Sequence, residues 1–247
     1  MTEQLAKRIA LVTGASHGIG LEVCRQLAEQ GLAVILTARD LTKAQSAANQ
    51  LTQAEPKLDI RPLALDLADE AMIKQAAVEL EKEFGRLDIL VNNAAAYADW
   101  MELPSTADLA VARQVLEPTL FGTWQVIQTL LPLLKKSGHG RIVNVSSGAG
   151  SHGDSQFGLA TNRGATASYG IAKAALNALT TKFAAELAGT SILVNAVCPG
   201  LTATAPGMEA MGARPIPEGA ASIVWAALLP DAGLSGGFFR DGKPLPW

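Results

Sequence analysis

The stretch "RIALVTGASHGIGLEVCRQLAEQG", residues 8–31, decides the fold. It opens on a short apolar run, "RIALVTG", which reads as a strand ending in glycine. "TGASHGIG", Thr13 to Gly20, then joins that strand to a helix. In "GIGLEVCRQLAEQG" the residues Ile19, Val23 and Leu27 recur at helical spacing, and Gly31 is a good C-terminal stop. Gly14, Gly18 and Gly20 are spaced G-x-x-x-G-x-G. They permit a tight turn and close approach of a pyrophosphate to backbone amides, at the positive end of the helix. Three glycines alone would equally suit a plain turn; the strand before and the helix after favour the phosphate reading.

Outward from this unit the pattern repeats. "LAVILTA" is the next strand, and Asp40 offers an N-cap for a helix through about Gln53. "DIRPLALDL" is a third strand, followed by a helix from about Asp69 to Phe84. "GRLDILVNNA" is a fourth; a long helix ends near Lys136, and "GRIVNVSS" is a fifth. A helix from Tyr169 to about Leu187 leads into "SILVNAVCPG", a sixth. A helix from about Glu218 to Leu229 precedes "GGFFR", a short seventh. Continuously apolar strands alternating with helices mean a parallel sheet covered on both faces. The expected architecture is one α/β domain over residues 1–247, doubly wound, with ligands outside the C-terminal ends of the strands. No linker or internal repeat divides it. The Gly/Ser-rich segment "GAGSHGDSQFGLATNRGATAS" is the longest irregular stretch, and loops that long are usually functional or disordered.

Composition removes several classes. The chain has 247 residues, 49% hydrophobic and 17% charged, with a net charge of −3, so a large core is possible and nucleic acid or an anionic membrane has no electrostatic partner here. Two cysteines, Cys24 and Cys198, cannot build a disulfide framework and read as small buried residues. The three histidines form no HExxH or Cys/His cluster, so no metal site is expected. The N-terminal apolar run is too short for a signal peptide, and "VLEPTLFGTWQVIQTLLPLL" is broken by Pro118, Gly122 and Pro132, which excludes a membrane span. A soluble, cytoplasmic protein is expected.

The second strand ends "ILTARD". Where an NAD site usually has an acidic residue for the ribose hydroxyl, this chain has Ala38, then Arg39. A guanidinium suits a 2′-phosphate through bidentate, charge-assisted hydrogen bonds. His17 could lie beside the same phosphate. NADPH/NADP is therefore the expected cofactor over NAD, with Asp40 better placed to cap its helix than to bind ribose.

Taken in order, "TGASHGIG", Asp66 in "LDL", "NNAA" at 92–95, "NVSS" at 144–147, "YGIAK" at 169–173 and "NAVCPG" at 195–200 resemble the classical short-chain dehydrogenase/reductase family. "ILTARD" and the C-terminal region look most like its carbonyl-reductase branch. The resemblance implies a Rossmann-like sheet of about seven strands. It places Gly14, Ser16, His17, Gly18, Ile19 and Gly20 on the cofactor's phosphates and nicotinamide half. It puts Asp66 and Leu67 at the adenine, Asn93, Ala94 and Ala95 along the adenosine ribose, and Pro199, Gly200, Leu201 and Thr204 at the nicotinamide.

It also implies the chemistry. A ketone reduction needs a hydride on carbon and a proton on oxygen. Tyr169 would donate the proton. Lys173, one helical turn on, would lower the phenol's pKa and bind the nicotinamide ribose. A helix beginning at Ser168 as N-cap would act in the same direction. Ser147, rather than its neighbour Ser146, would orient the substrate oxygen. Two departures stand out. Thr119, after Pro118, takes the place of an asparagine that supports a proton relay in the family, and a carbonyl freed by Pro118 could substitute for it. The segment from Gly148 to Ser168 is also longer than usual, which leaves monomer or homo-oligomer open. Leu201 to Pro217 should form a mobile apolar lid, and Ala96, Tyr97, Trp100 and Met208 could line a pocket or simply pack. The expected activity is reduction of a small or medium apolar ketone or aldehyde. An NAD-dependent alcohol dehydrogenase and a non-catalytic dinucleotide sensor are the alternatives.

Overall fold

The computed structural model describes residues 7–247. The apolar runs form the strands β1 (Ile9–Val12), β2 (Ala33–Ala38), β3 (Asp59–Ala64), β4 (Ile89–Asn92), β5 (Arg141–Val145), β6 (Leu193–Val197) and β7 (Phe238–Arg240). Every residue of β1, β2, β4, β5 and β6 is buried, as strands covered on both faces must be. The expected seven strands become eight. Lys243–Pro244 turns back as β8, pairs antiparallel with β7 and covers that edge of the sheet. The order is β3-β2-β1-β4-β5-β6-β7-β8. It reverses between β1 and β4, and that switch point opens the crevice in which such folds bind ligands.

Helices α1 (Gly18–Glu29), α2 (Leu41–Ala54) and α7 (Ile216–Ala227) accompany one face, where Val23, Leu27, Ala47 and Ile223 enter the core. Helices α3 (Glu70–Phe84), α5 (Thr123–Ser137) and α6 (Ala167–Glu186) cover the other with Ile73, Leu80, Ile127, Leu130, Leu176 and Phe183. Asp40 caps α2 as expected, accepting from the amides of Thr42 and Lys43. Asp69 caps α3 in the same way.

The long central helix is not uniform. It runs as α4 (Leu109–Leu116), widens into a π-turn at Glu117–Gly122, and resumes as α5. Proline at 118 has no amide for the helical ladder, and the wider turn accommodates the loss. No described helix is long and apolar enough to cross a membrane.

Candidate active site

The glycine turn lies between β1 and α1, facing the crevice. Gly14 and Gly18 have φ of +61° and +58°, the left-handed region in which glycine is unstrained. A Cβ on Gly14 would lie 2.9 Å from the Cα and Cβ of Ala94. Gly20 is tighter still: a Cβ there would come within 2.5 Å of the Asn93 amide nitrogen. His17 stands at the N-cap of α1 but makes no side-chain cap bond, and its Nδ1 lies 3.2 Å from the Ser16 hydroxyl. The first turn of α1 contains no acidic residue. Its uncapped amides and positive dipole fit a phosphate group. Ile19 packs its side chain partly into the core.

Asn93 is half-buried beside the glycine turn. Its side-chain amide donates to the carbonyls of Thr13 and Gly14, both at 3.0 Å, while the Thr13 hydroxyl accepts from the amides of Asn93 and Ala94. The side chain therefore braces the glycine turn, whose carbonyls need donors. Ala94 and Ala95 follow it, half-buried, along the crevice.

At the tip of β2, Arg39 is exposed and makes no ion pair among the described residues. Asp40 beside it is spent on capping α2. Asp66 accepts from the Ala68 amide at 3.0 Å, and Leu67 is buried where its carbonyl meets Gly122 of the π-turn.

Beyond β6, Gly200 has φ +74° and sits against the Arg214 guanidinium, whose Nε donates to the Pro199 carbonyl at 2.7 Å. Leu201 accepts from the Arg214 amide, and Thr202 pairs with Arg214 as a β-bridge. Thr204 lies above Gly18, 3.8 Å from the position of a Cβ there, so the post-β6 loop overhangs the glycine turn. Met208 contacts the Thr204 hydroxyl through sulfur. The segment expected as a mobile apolar lid is held at Arg214.

Ser146 and Ser147 point apart. The Ser146 hydroxyl is buried and donates to Asn177 at 2.5 Å; the Ser147 hydroxyl accepts from the Ala149 amide at 3.2 Å and interacts with that of Tyr169. Tyr169 and Lys173 share one face of α6, as their spacing requires. The Lys173 ammonium lies 5.6 Å from the centre of the Tyr169 ring and donates to the Val145 carbonyl at 2.6 Å.

Burial, then the neighbouring Tyr97, push the Tyr169 phenol well above its ordinary pKa, with Ser147 opposing. Lys173 is itself buried, which depresses its pKa to about 8, and its ammonium is directed at the Val145 carbonyl.

Ser168 is not the N-cap of α6. That position belongs to Thr166, in the left-handed region at φ +59° with no side-chain cap bond. The Ser168 amide is satisfied from outside the helix by the Glu102 carboxylate at 2.8 Å. A distant acid thus replaces the local cap and puts negative charge at the helix N-terminus.

Thr119 is fully buried in the π-turn, and its hydroxyl accepts from the Ala96 amide at 3.3 Å. The side chain anchors the loop after β4. The nearby Pro118 carbonyl accepts from the Thr123 hydroxyl, so this carbonyl is engaged.

The long Gly148–Ser168 segment is held by contacts with no local sequence signal. Asp154 caps the amides of Gln156 and Phe157 and pairs with Arg240 at 2.7 Å. Cys198 is buried and accepts from the amides of Gly148 and Gly200 and from Arg240, tying the serine loop to the post-β6 loop. Trp247 accepts the amides of His152 and Gly153 and stacks on Phe238.

Residues 8–213 match the short chain dehydrogenase family. The chain belongs to that family. Among relatives of this short-chain dehydrogenase, carbonyl reductase [NADPH] 1 of Sus scrofa is 36% identical over 97% of this chain and 94% of its own. Short-chain dehydrogenase/reductase 1 of Saponaria officinalis is 33% identical over 98% and 96%. The crystal structure of NADPH-bound carbonyl reductase from chicken fatty liver superposes with a TM-score of 0.84 at 27% identity, covering 98% of this chain and 99% of that one. The short-chain dehydrogenase described here is accordingly an oxidoreductase of mixed α/β fold.

Proposed function

We propose that this enzyme reduces a small or medium apolar ketone or aldehyde to the alcohol with NADPH. The observation that carries the reading is convergence. Ser147 from the end of β5 and Tyr169 from α6 bring two hydroxyls together beside the crevice, with a buried ammonium beneath the tyrosine ring. When bound, the dinucleotide supplies the hydride. Ser147 holds the substrate oxygen, and Tyr169 gives it a proton as alkoxide character develops. A phenol with a raised pKa remains protonated at neutral pH, and an alkoxide is basic enough to take its proton. Lys173 then favours the phenolate left behind through its nearby positive charge.

Gly14, Gly18 and the first turn of α1 would hold the pyrophosphate, and Lys173 the nicotinamide ribose. The choice of NADPH over NAD is supported by an exposed Arg39, without an ion pair among the described residues, next to an Asp40 already committed to a helix cap. The test is NADPH oxidation against a panel of ketones, comparing wild type with Tyr169→Phe. Turnover by wild type and its loss in the variant is the expected result. Cofactor binding without turnover of any carbonyl by either protein would instead favour a dinucleotide sensor.

A further inference from the structure

The loop after β4 carries two aromatic residues that the chemistry above does not use. The Tyr97 ring stacks on Tyr169, with centroids 5.0 Å apart and planes inclined by 22°. Trp100 meets Tyr169 edge-on at 5.6 Å and lies tilted by 43° against Tyr97 at 5.4 Å. Tyr169 is 9% exposed, whereas Tyr97 and Trp100 are 58% and 55% exposed. A molecule approaching the Tyr169 hydroxyl from solvent therefore meets these two rings.

Their position is fixed from both sides. Ahead of Tyr97, the Ala96 amide is held by Thr119 of the π-turn. Beyond Trp100, Asp99 caps the Met101 amide, and Glu102 receives the amides of Ala167 and Ser168 through its carbonyl and carboxylate. Those last two bonds join the loop to the first turn of α6, the helix that carries Tyr169. The aromatic pair and Tyr169 are thus registered to one another by backbone contacts on each flank. Lone exposed aromatics are common on protein surfaces; two of them packed on one reactive phenol, on a loop tied down at both ends, are a built wall.

We propose that Tyr97 and Trp100 are specificity-determining residues that select planar, conjugated or aryl ketones over saturated acyclic ketones of similar size. This rests on the ketone-reductase reading given above. A flat π-system can stack against Tyr97 or meet Trp100 edge-on while its carbonyl reaches Tyr169. A saturated chain gains only dispersion from the same rings. The Tyr97 hydroxyl also interacts with that of Tyr169. The substrate oxygen takes this place, and Tyr97 withdraws its hydroxyl as the ring becomes a stacking surface.

The experiment measures kcat/KM with NADPH for an aryl methyl ketone and for a straight-chain methyl ketone of matched carbon number. It uses wild type, Tyr97→Phe, Tyr97→Leu and Trp100→Leu, each checked for an unchanged Tm and unchanged NADPH binding. Leucine keeps apolar bulk and removes the π-face. Wild type should prefer the aryl ketone. Each leucine variant should lose about threefold to tenfold of that preference, the size of an aromatic pair contribution. Tyr97→Phe should keep the preference and lower KM for both ketones, because the competing hydroxyl is gone. An aryl-to-aliphatic ratio unchanged in both leucine variants would overturn the inference while leaving ketone reduction standing. Failure of wild type to reduce either ketone, or any carbonyl in the wider panel, would overturn the parent reading instead.

Discussion

The Lys173 ammonium donates to the carbonyl of Val145, two residues before Ser147, at 2.6 Å. A charged group from α6 is thereby buried against the end of β5. This geometry links the fold's stability to the protonation of its own active-site lysine.

Burial lowers the pKa of Lys173 to about 8 from an ordinary 10.5, so the folded chain holds that proton less tightly than the unfolded chain. Below about pH 8 both states are protonated and the full penalty applies; as pH rises from 8 towards 10.5 the penalty is relieved and stability increases. The size is about 3 kcal/mol. Lys173→Met should remove this rise, abolish turnover and, at pH 7, gain up to about 2 kcal/mol after the loss of the Val145 hydrogen bond is counted. Urea unfolding from pH 7 to 10 checks it; a flat wild-type profile would show that the lysine is not desolvated.

Arg39→Asp should exchange a charge-assisted phosphate contact for repulsion. Use of NADPH should fall about 100-fold in kcat/KM, with NADH little affected. Parallel assays with both cofactors decide the point, and an unchanged ratio would mean that Arg39 is only a solvated surface charge.

Thr119→Val preserves shape but strands the Ala96 amide. Losing this part-buried hydrogen bond costs about 0.5–1.5 kcal/mol. The loop carrying Tyr97 should loosen, raising KM more than it lowers kcat. Thermal unfolding together with steady-state kinetics separates this anchoring role from a proton-relay role, which would lower kcat at constant KM.

Arg240→Leu leaves the nearly buried Asp154 carboxylate without its ion pair. Burial alone would raise the Asp154 pKa; the amides of Gln156 and Phe157, with Arg240, outweigh it and hold the pKa low. The variant should lose about 3–5 kcal/mol, and Asp154→Asn in the same chain should recover part of it. Full additivity in the double-mutant cycle would show that the pair does not hold the segment.

The strand–turn–helix reading of residues 8–31 and the alternation beyond it were legible because burial on both faces forces continuous apolar strands. Asp40 was equally legible, since an N-cap acts within its own turn. What escaped was non-local. Glu102 completes the start of α6 from 66 positions away in sequence. Asp154 needs Arg240 at the far end of the chain, and β8 is too short to carry a periodic signal. Pro118 signalled a disturbed helix, but only the structure shows a π-turn with Thr119 facing Ala96. Tyr97 and Trp100 were visible as pocket or packing candidates, and nothing in their spacing announced the stack on Tyr169. Asn93 matched a family motif, yet its side chain supports the turn from within.

The close fit of Gly20 against the Asn93 amide also limits how this sequence can drift. A methyl group at position 20 would also lie 2.9 Å from the Ala15 Cα and from the Gly14 carbonyl oxygen, so a smaller residue at 93 would not make room for it and would forfeit the donors to Thr13 and Gly14. Lineages descending from this chain should therefore keep glycine at 20 whatever stands at 93.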